Sequence, residues 1–118
     1  MKYDLEQRLV KFSVLTIKAI GTLPNDRSCN HLVGQLVRSA TAPALLYGEA
    51  QGAESRKDFI HKMSIALKEL RETMICLKII DEAGFVETHD QFSKLLNENN
   101  ELISIFRKSI STAVRNMN

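Results

Sequence analysis

The sequence predicts an all-α protein, an antiparallel up-down four-helix bundle formed as a single domain over residues 1–118. Three observations carry that prediction. Apolar residues recur at steps of three and four in four separate stretches, as they do on helices with one buried face. Short connections rich in turn formers join the stretches, and short links lay successive helices side by side in alternating directions. The composition agrees: only 5 Gly and 2 Pro interrupt a chain otherwise rich in good helix formers. At 118 residues the chain buries a core without disulfide or metal staples.

The first helix is expected from Asp4 to Ile20. Asp4 supplies an N-cap, with Gln7 completing a capping box. Leu5, Leu9, Phe12, Thr16 and Ala19 form its inner stripe, flanked by Val10, Val14, Leu15, Ile17 and Ile20. Gly21 and Pro24 stop it. Lys2, Arg8, Lys11 and Lys18 outweigh Asp4 and Glu6, so this segment carries the whole net charge of +2. That reads as a solvated face.

A polar connection containing Asn25, Asp26 and Ser28 follows. Ser28 or Asn30 is the expected cap of a second helix that runs to about Glu49. Leu32, Leu36, Ala40 and Tyr47 share one face, with Val33, Val37 and Ala44 beside it. Pro43 removes a backbone hydrogen bond and crowds the preceding turn, which predicts a kink near Ser39 to Thr41. The hydroxyls there can bond freed carbonyls, and the small side chains from Ser39 to Ala44 admit another helix closely.

Gly52 lies in a tight corner with no Gly-x-Gly-x-x-Gly or Walker pattern, so no phosphate cradle is implied. Ser55 caps the third helix, expected to be the longest, with Asp58 three residues on. Phe59, Met63, Ala66, Leu70, Met74 and Leu77 form its inner stripe. Its opposite face is charged at first, with Lys57, His61, Lys68 and Glu72. It then turns apolar at Ile75, Cys76, Ile79 and Ile80. A helix apolar on both sides is covered on both sides, so these four residues are the candidate oligomer interface. Gly84 is the expected left-handed stop. Thr88 to Gln91 has capping-box spacing before a fourth helix built on Phe92, Leu95, Leu102, Phe106, Ile110 and Ala113. Asn97, Asn99 and Asn100 fall in its middle and weaken it locally.

Groups suited to catalysis are scattered. His31, His61 and His89 stand on separate elements, and no Glu-x-x-His spacing occurs in a pair of helices. No metal site and no cofactor are expected. Ser55 and Ser64 lack an Asp-His framework, and Cys29 and Cys76 sit in no metal or redox spacing, which leaves two free thiols. An enzyme is the weakest reading. The N-terminus is too charged for a secretory signal, and no window approaches the ~20 apolar residues of a membrane span. A cytoplasmic protein without membrane contact is expected. With Trp absent and aromatics few, base-stacking platforms are not expected.

Arg56, Lys57, His61, Lys62, Lys68 and Arg71 give the front of the third helix a basic character. From Arg56 to Lys68 there are four bases to one acid with His61 neutral. These six residues are the candidate nucleic-acid surface. It is weak on one chain and amplified where an assembly repeats it. A solvated helix end is the competing reading.

The runs Gln35 to Thr41, Tyr47 to Met63 and Ala66 to Thr73 resemble a bacterial four-helix-bundle family first met as open reading frames in intervening sequences of the large-subunit ribosomal RNA gene, often given a ribosomal-protein-like label. The resemblance covers nearly the whole chain. It implies a ring, a homopentamer, and kinship with an accessory protein of diversity-generating retroelements, a basic pentamer that binds a reverse transcriptase and nucleic acid. Arg38, Glu49, Ser55, Asp58, Phe59 and Glu69 match positions the family pattern uses, whereas Leu46 stands where the family commonly has Asn. On that match, Arg38 and Glu49, with Ser55 and Asp58, are expected to form a polar lock between the second and third helices. Glu69, with Arg71 and Glu72, is expected to pair between helices or subunits. The function expected is a non-enzymatic oligomer that presents a repeated basic surface to RNA or a nucleic-acid-binding protein. The alternative is a structural or adaptor protein with a protein partner.

Overall fold

The structure is a computed structural model and describes residues 4–117. Lys2, counted above in the charge of the first segment, lies outside them. Four helices follow one another: α1 (Leu5–Ile20), α2 (Arg27–Gln51), α3 (Arg56–Glu82) and α4 (His89–Arg115). No strand occurs among the described residues. The molecule measures 50 × 30 × 20 Å. Its radius of gyration of 15.2 Å exceeds the ~13.5 Å of a rounder chain of this length, because helices of 27 residues set a long axis.

Local chemistry explains the helix ends. Asp4 caps α1, its carboxylate accepting the Gln7 N–H at 3.1 Å. The cap of α2 is Asp26, not Ser28 or Asn30. Asp26 has the extended backbone a cap requires, and its Oδ1 accepts from both Ser28 N–H (2.9 Å) and Cys29 N–H (3.1 Å). Ser55 caps α3 as expected, taking the Asp58 N–H at 3.0 Å. Thr88 holds the cap position of α4 but makes no side-chain cap bond. Its φ of −99° and ψ of 80° are not the extended backbone of a working cap, so the capping box is not formed.

Gly84 has a φ of +82°, the left-handed conformation that side chains with a Cβ resist. It reverses the chain so that Phe85 N–H reaches the Ile80 carbonyl (3.3 Å) and Gly84 N–H the Asp81 carbonyl (3.1 Å). Those two bonds close the end of α3.

Pro43 is buried inside a continuous α2. The nearby hydroxyls serve other acceptors than the Ser39 carbonyl that Pro43 deprives of its donor. Thr41 bonds the Val37 carbonyl at 2.7 Å, and Ser39 lies 2.9 Å from the Thr73 hydroxyl of α3. The small residues do admit close neighbours. Ser13 of α1 reaches the Ala40 carbonyl at 3.4 Å, and the Ser39–Thr73 pair is fully buried.

α1 and α3 each pack on both α2 and α4, and so occupy opposite corners. Leu9, Phe12, Leu36, Met63, Leu70, Leu77, Phe92, Leu102 and Phe106 fill the space between the four helices. Two expectations need correcting. α4 equals α3 at 27 residues, so α3 is not the longest alone. The asparagines do not interrupt α4, and Asn99 is buried completely. Its Nδ2 donates to the Leu70 carbonyl at 2.9 Å, while its Oδ1 is buried without a partner. None of the helices is long and apolar enough to cross a membrane.

Candidate functional site

The six basic candidates do not act alike once α3 is in place. Lys57, His61 and Lys68 recur at steps of four and seven on the helix, so they share one outward stripe, and all three are exposed. Arg71 is exposed at the edge of that stripe. From Lys57 to Arg71 the stripe is about 21 Å long at ~1.5 Å per residue.

Lys62 belongs elsewhere. Its Nζ lies 2.8 Å from Glu49 Oε1 on α2. That hydrogen bond and the charge of Glu49, with a smaller contribution from Asp58, raise the ammonium pKa against a slight desolvation. A lysine held this way stays protonated, with its charge already compensated by Glu49. Arg56, in the first turn of α3, lines an open cleft shared with α4.

The polar lock has different partners from those expected. Arg38 and Glu49 are eleven residues apart on one helix, about 16 Å at ~1.5 Å per residue, and cannot meet. Arg38 instead crosses to α3, where Nη1 sits 2.9 Å from Glu69 Oε1 and Nη2 bonds Glu72. Glu49 crosses to Lys62. Glu69 and Glu72 do pair between helices, with Arg38 as the cation, while Arg71, expected to join them, is in no ion pair among the described residues. This arrangement has an electrostatic consequence. The two carboxylates that alternate with Lys68 and Arg71 along α3 are occupied by Arg38, which leaves the positive charge of the stripe less compensated.

The apolar candidates divide. Ile75 is 56% exposed and Ile79 47%, one turn apart on the outer side of α3. Cys76 and Ile80 face inward at 6% and 0%, so they belong to the core and not to an interface. The Cys76 thiol lies 3.4 Å from the Leu32 carbonyl of α2. Burial pushes its pKa up, assisted by the nearby Glu72. Cys29 is also a free, buried thiol, raised first by burial and then by Asp26. Among the described residues no three His, Cys, Asp or Glu side chains converge in a way that could hold a metal.

The sequence reading missed a second apolar face. Val10, Val14 and Ile17 are 50%, 43% and 53% exposed at steps of four and three on α1. The signal was present. These residues form a stripe of their own beside Leu5, Leu9, Phe12 and Thr16, distinct from the flanks of one broad stripe.

No curated protein matches this sequence. A crystal structure at 1.70 Å of a protein of unknown function from the S23 ribosomal protein family of Bacteroides thetaiotaomicron shares the fold. The TM-score is 0.82 with 28% identity, over 91% of this chain and 98% of that one. The sequence profile of the 23S rRNA-intervening sequence proteins matches residues 1–108. With nearly the whole length matched, the chain belongs to the 23S rRNA-intervening sequence protein family.

Proposed function

We propose that this protein is a non-enzymatic, self-assembling cytoplasmic helical bundle that presents a repeated basic surface to RNA or to a nucleic-acid-binding protein. The observation that carries the nucleic-acid reading is the exposed stripe of Lys57, His61, Lys68 and Arg71, with its neighbouring acids engaged by Arg38. The family's link to ribosomal RNA intervening sequences favours RNA over DNA.

The bundle is taken as one antiparallel up-down domain. Pairs along the α2–α3 seam favour this: as position falls on α2 from Glu49 to Leu32, its partner rises on α3 from Lys62 to Cys76. Assembly is proposed through two unlike faces, Val10, Val14 and Ile17 on α1 and Ile75 with Ile79 on α3. They lie on helices at opposite corners, and a contact that joins the α1 face of one copy to the α3 face of the next is heterologous and closes a ring or extends a filament. A pentameric ring is the expected closure. Ile75 and Ile79 continue the basic stripe along one helix. Covering them with a neighbour brings successive basic stripes together, and avidity strengthens weak phosphate contacts.

The alternative is an adaptor in which Ile75 and Ile79 receive a different protein. Two measurements separate the readings. Light scattering after size exclusion is expected to give a multiple of the 13.3 kDa chain, falling to the monomer with Ile75→Glu and Ile79→Glu together. A monomeric wild type removes the assembly. RNA affinity is expected to fall steeply with salt and to weaken with Lys57→Glu and Lys68→Glu. No binding at low salt leaves the adaptor.

A further inference from the structure

α1 has 16 residues and α4 has 27. α1 meets α4 through Arg8 at Glu98 and Glu101, and the last turns of α4 run on past the first turn of α1. There the last turns of α4 and the first turn of α3 form a cleft of about 440 Å³, within the size range of small-molecule sites. Its floor is apolar, made by Phe59 and Ile105 with buried Ala113. Arg56 rises from the α3 side and Lys108 from the α4 side, with Ser109 and Thr112 beside them. Thr112 in turn accepts from Arg115 on the next turn of α4, whose Nη2 lies 3.5 Å from its Oγ1. A second hollow of about 300 Å³, bounded by Ala50, Ala53 and Ser55, adjoins it across Arg56 and Phe59.

Among the described residues no acidic side chain lines either hollow. Among the described residues neither Arg56 nor Lys108 is in an ion pair, unlike Arg8, Arg38 and Lys62. The hollow between α1 and α4 serves as a contrast. It too has cations, Lys11 and Lys94, but Glu98 lines it and holds Arg8. Two uncompensated cations over an apolar floor, with hydroxyls between, complement a ligand that joins a flat apolar ring to an anion.

We infer that the cleft between α3 and α4 holds one unstacked nucleotide of a single-stranded RNA, with its base against Phe59 and Ile105 and its phosphate between Arg56 and Lys108. This rests on the nucleic-acid reading above and gives it a site and a strand preference. The scarcity of aromatics argues against a platform of several rings, but one ring at the back of a basic cleft serves one base. A duplex cannot use the floor, because its bases are stacked and only its phosphates reach Arg56 and Lys108. Ser109 and Thr112 lie where a ribose hydroxyl would find partners.

The test is fluorescence anisotropy on the intact protein with a labelled uridine dodecamer, and with an RNA duplex of the same length. Lys108→Glu changes an exposed side chain, and Phe59→Leu keeps apolar volume while removing the ring. Single-strand binding is expected to weaken about tenfold with Phe59→Leu, while duplex binding is unchanged. With Lys108→Glu the logarithmic salt slope is expected to shrink by roughly one unit. Wild-type protein that binds neither RNA at low salt overturns the nucleic-acid reading and the cleft together. If Lys57→Glu and Lys68→Glu weaken binding but Lys108→Glu and Phe59→Leu do not, the cleft is overturned and the reading stands. Equal losses on both RNAs with Phe59→Leu also overturn the stacked base. A change in assembly mass with Lys108→Glu, at constant RNA affinity, shows that a second copy occupies the cleft instead.

Discussion

The seam between α2 and α3 and the seam between α1 and α4 are held in different ways. Along the first, polar ties are distributed over its length: Cys76 to the Leu32 carbonyl, Ser39 to Thr73, Arg38 to Glu69 and Glu72, and Lys62 to Glu49. Along the second, the side-chain ties among the described residues converge on one side chain. Arg8 grips Glu98 through Nε (2.5 Å) and Nη2 (2.7 Å), and reaches Glu101 at 2.6 Å. Beside it the two helices part around a hollow of about 340 Å³ that reaches Phe12 and Leu15. The difference teaches that α2 and α3 form the frame, while α1 is held mainly by its apolar stripe and one arginine. Local opening is expected to begin at α1.

The largest effect that would sharpen this contrast comes from Phe12→Ala. Phe12 is 1% exposed and anchors α1, so its truncation is expected to cost about 3–5 kcal/mol in denaturant unfolding. Amide exchange should show α1 released before α2 and α3. Uniform loss of protection in all four helices would break the comparison. Thr73→Val keeps shape but removes one buried hydroxyl of the frame, at an expected cost of about 1 kcal/mol that speeds exchange in α2 and α3 together. Arg8→Ala is expected to cost at most about 1 kcal/mol, since its partners are partly solvated. Its exchange signature should be confined to α1 and the middle of α4.

The smallest effect concerns pH. Cys29 and Cys76 are buried with raised pKa values, so the folded protein favours their neutral form. Their contribution is fully present below the ordinary thiol range of about 8.5 and is lost as pH rises through the folded values. The melting temperature should therefore decline in that alkaline window, and less so in a Cys29→Ala, Cys76→Ala protein. An identical decline in both would remove the thiols from the explanation.

Much of this fold is legible in the sequence, because helix periodicity and capping are local properties. The bounds of α1 and α3, the Ser55 cap and the Gly84 reversal follow from residues within one or two turns of each other. Apart from the cap of α2, which is local, what is not legible depends on distance through space. Asp26 outcompetes Ser28 because its carboxylate serves two amides at once. Arg38 finds Glu69 and Glu72, 31 and 34 residues away, only after α2 lies against α3. Cys76 and Ile80 look like outer residues when the inner stripe is drawn narrowly, yet contact with α2 widens the buried sector of α3. Of the basic candidates, the pattern identifies the Lys57, His61, Lys68 stripe. It cannot tell that the charge of Lys62 is compensated by Glu49, or that Lys108, some fifty residues on, joins Arg56 at one cleft.

Asn99 bears on uniqueness. A branched apolar residue of similar size would spare the fold a stranded carbonyl oxygen, so the amide does not serve maximal stability. Its value lies in what it forbids. In the native register one half of the amide meets the Leu70 carbonyl. Sliding α4 along α3 takes the amide away from that acceptor, and a register that offers it no other is expected to lie above the native one. An otherwise greasy and interchangeable set of leucines and phenylalanines thereby acquires a gap between one correct alignment and its near misses.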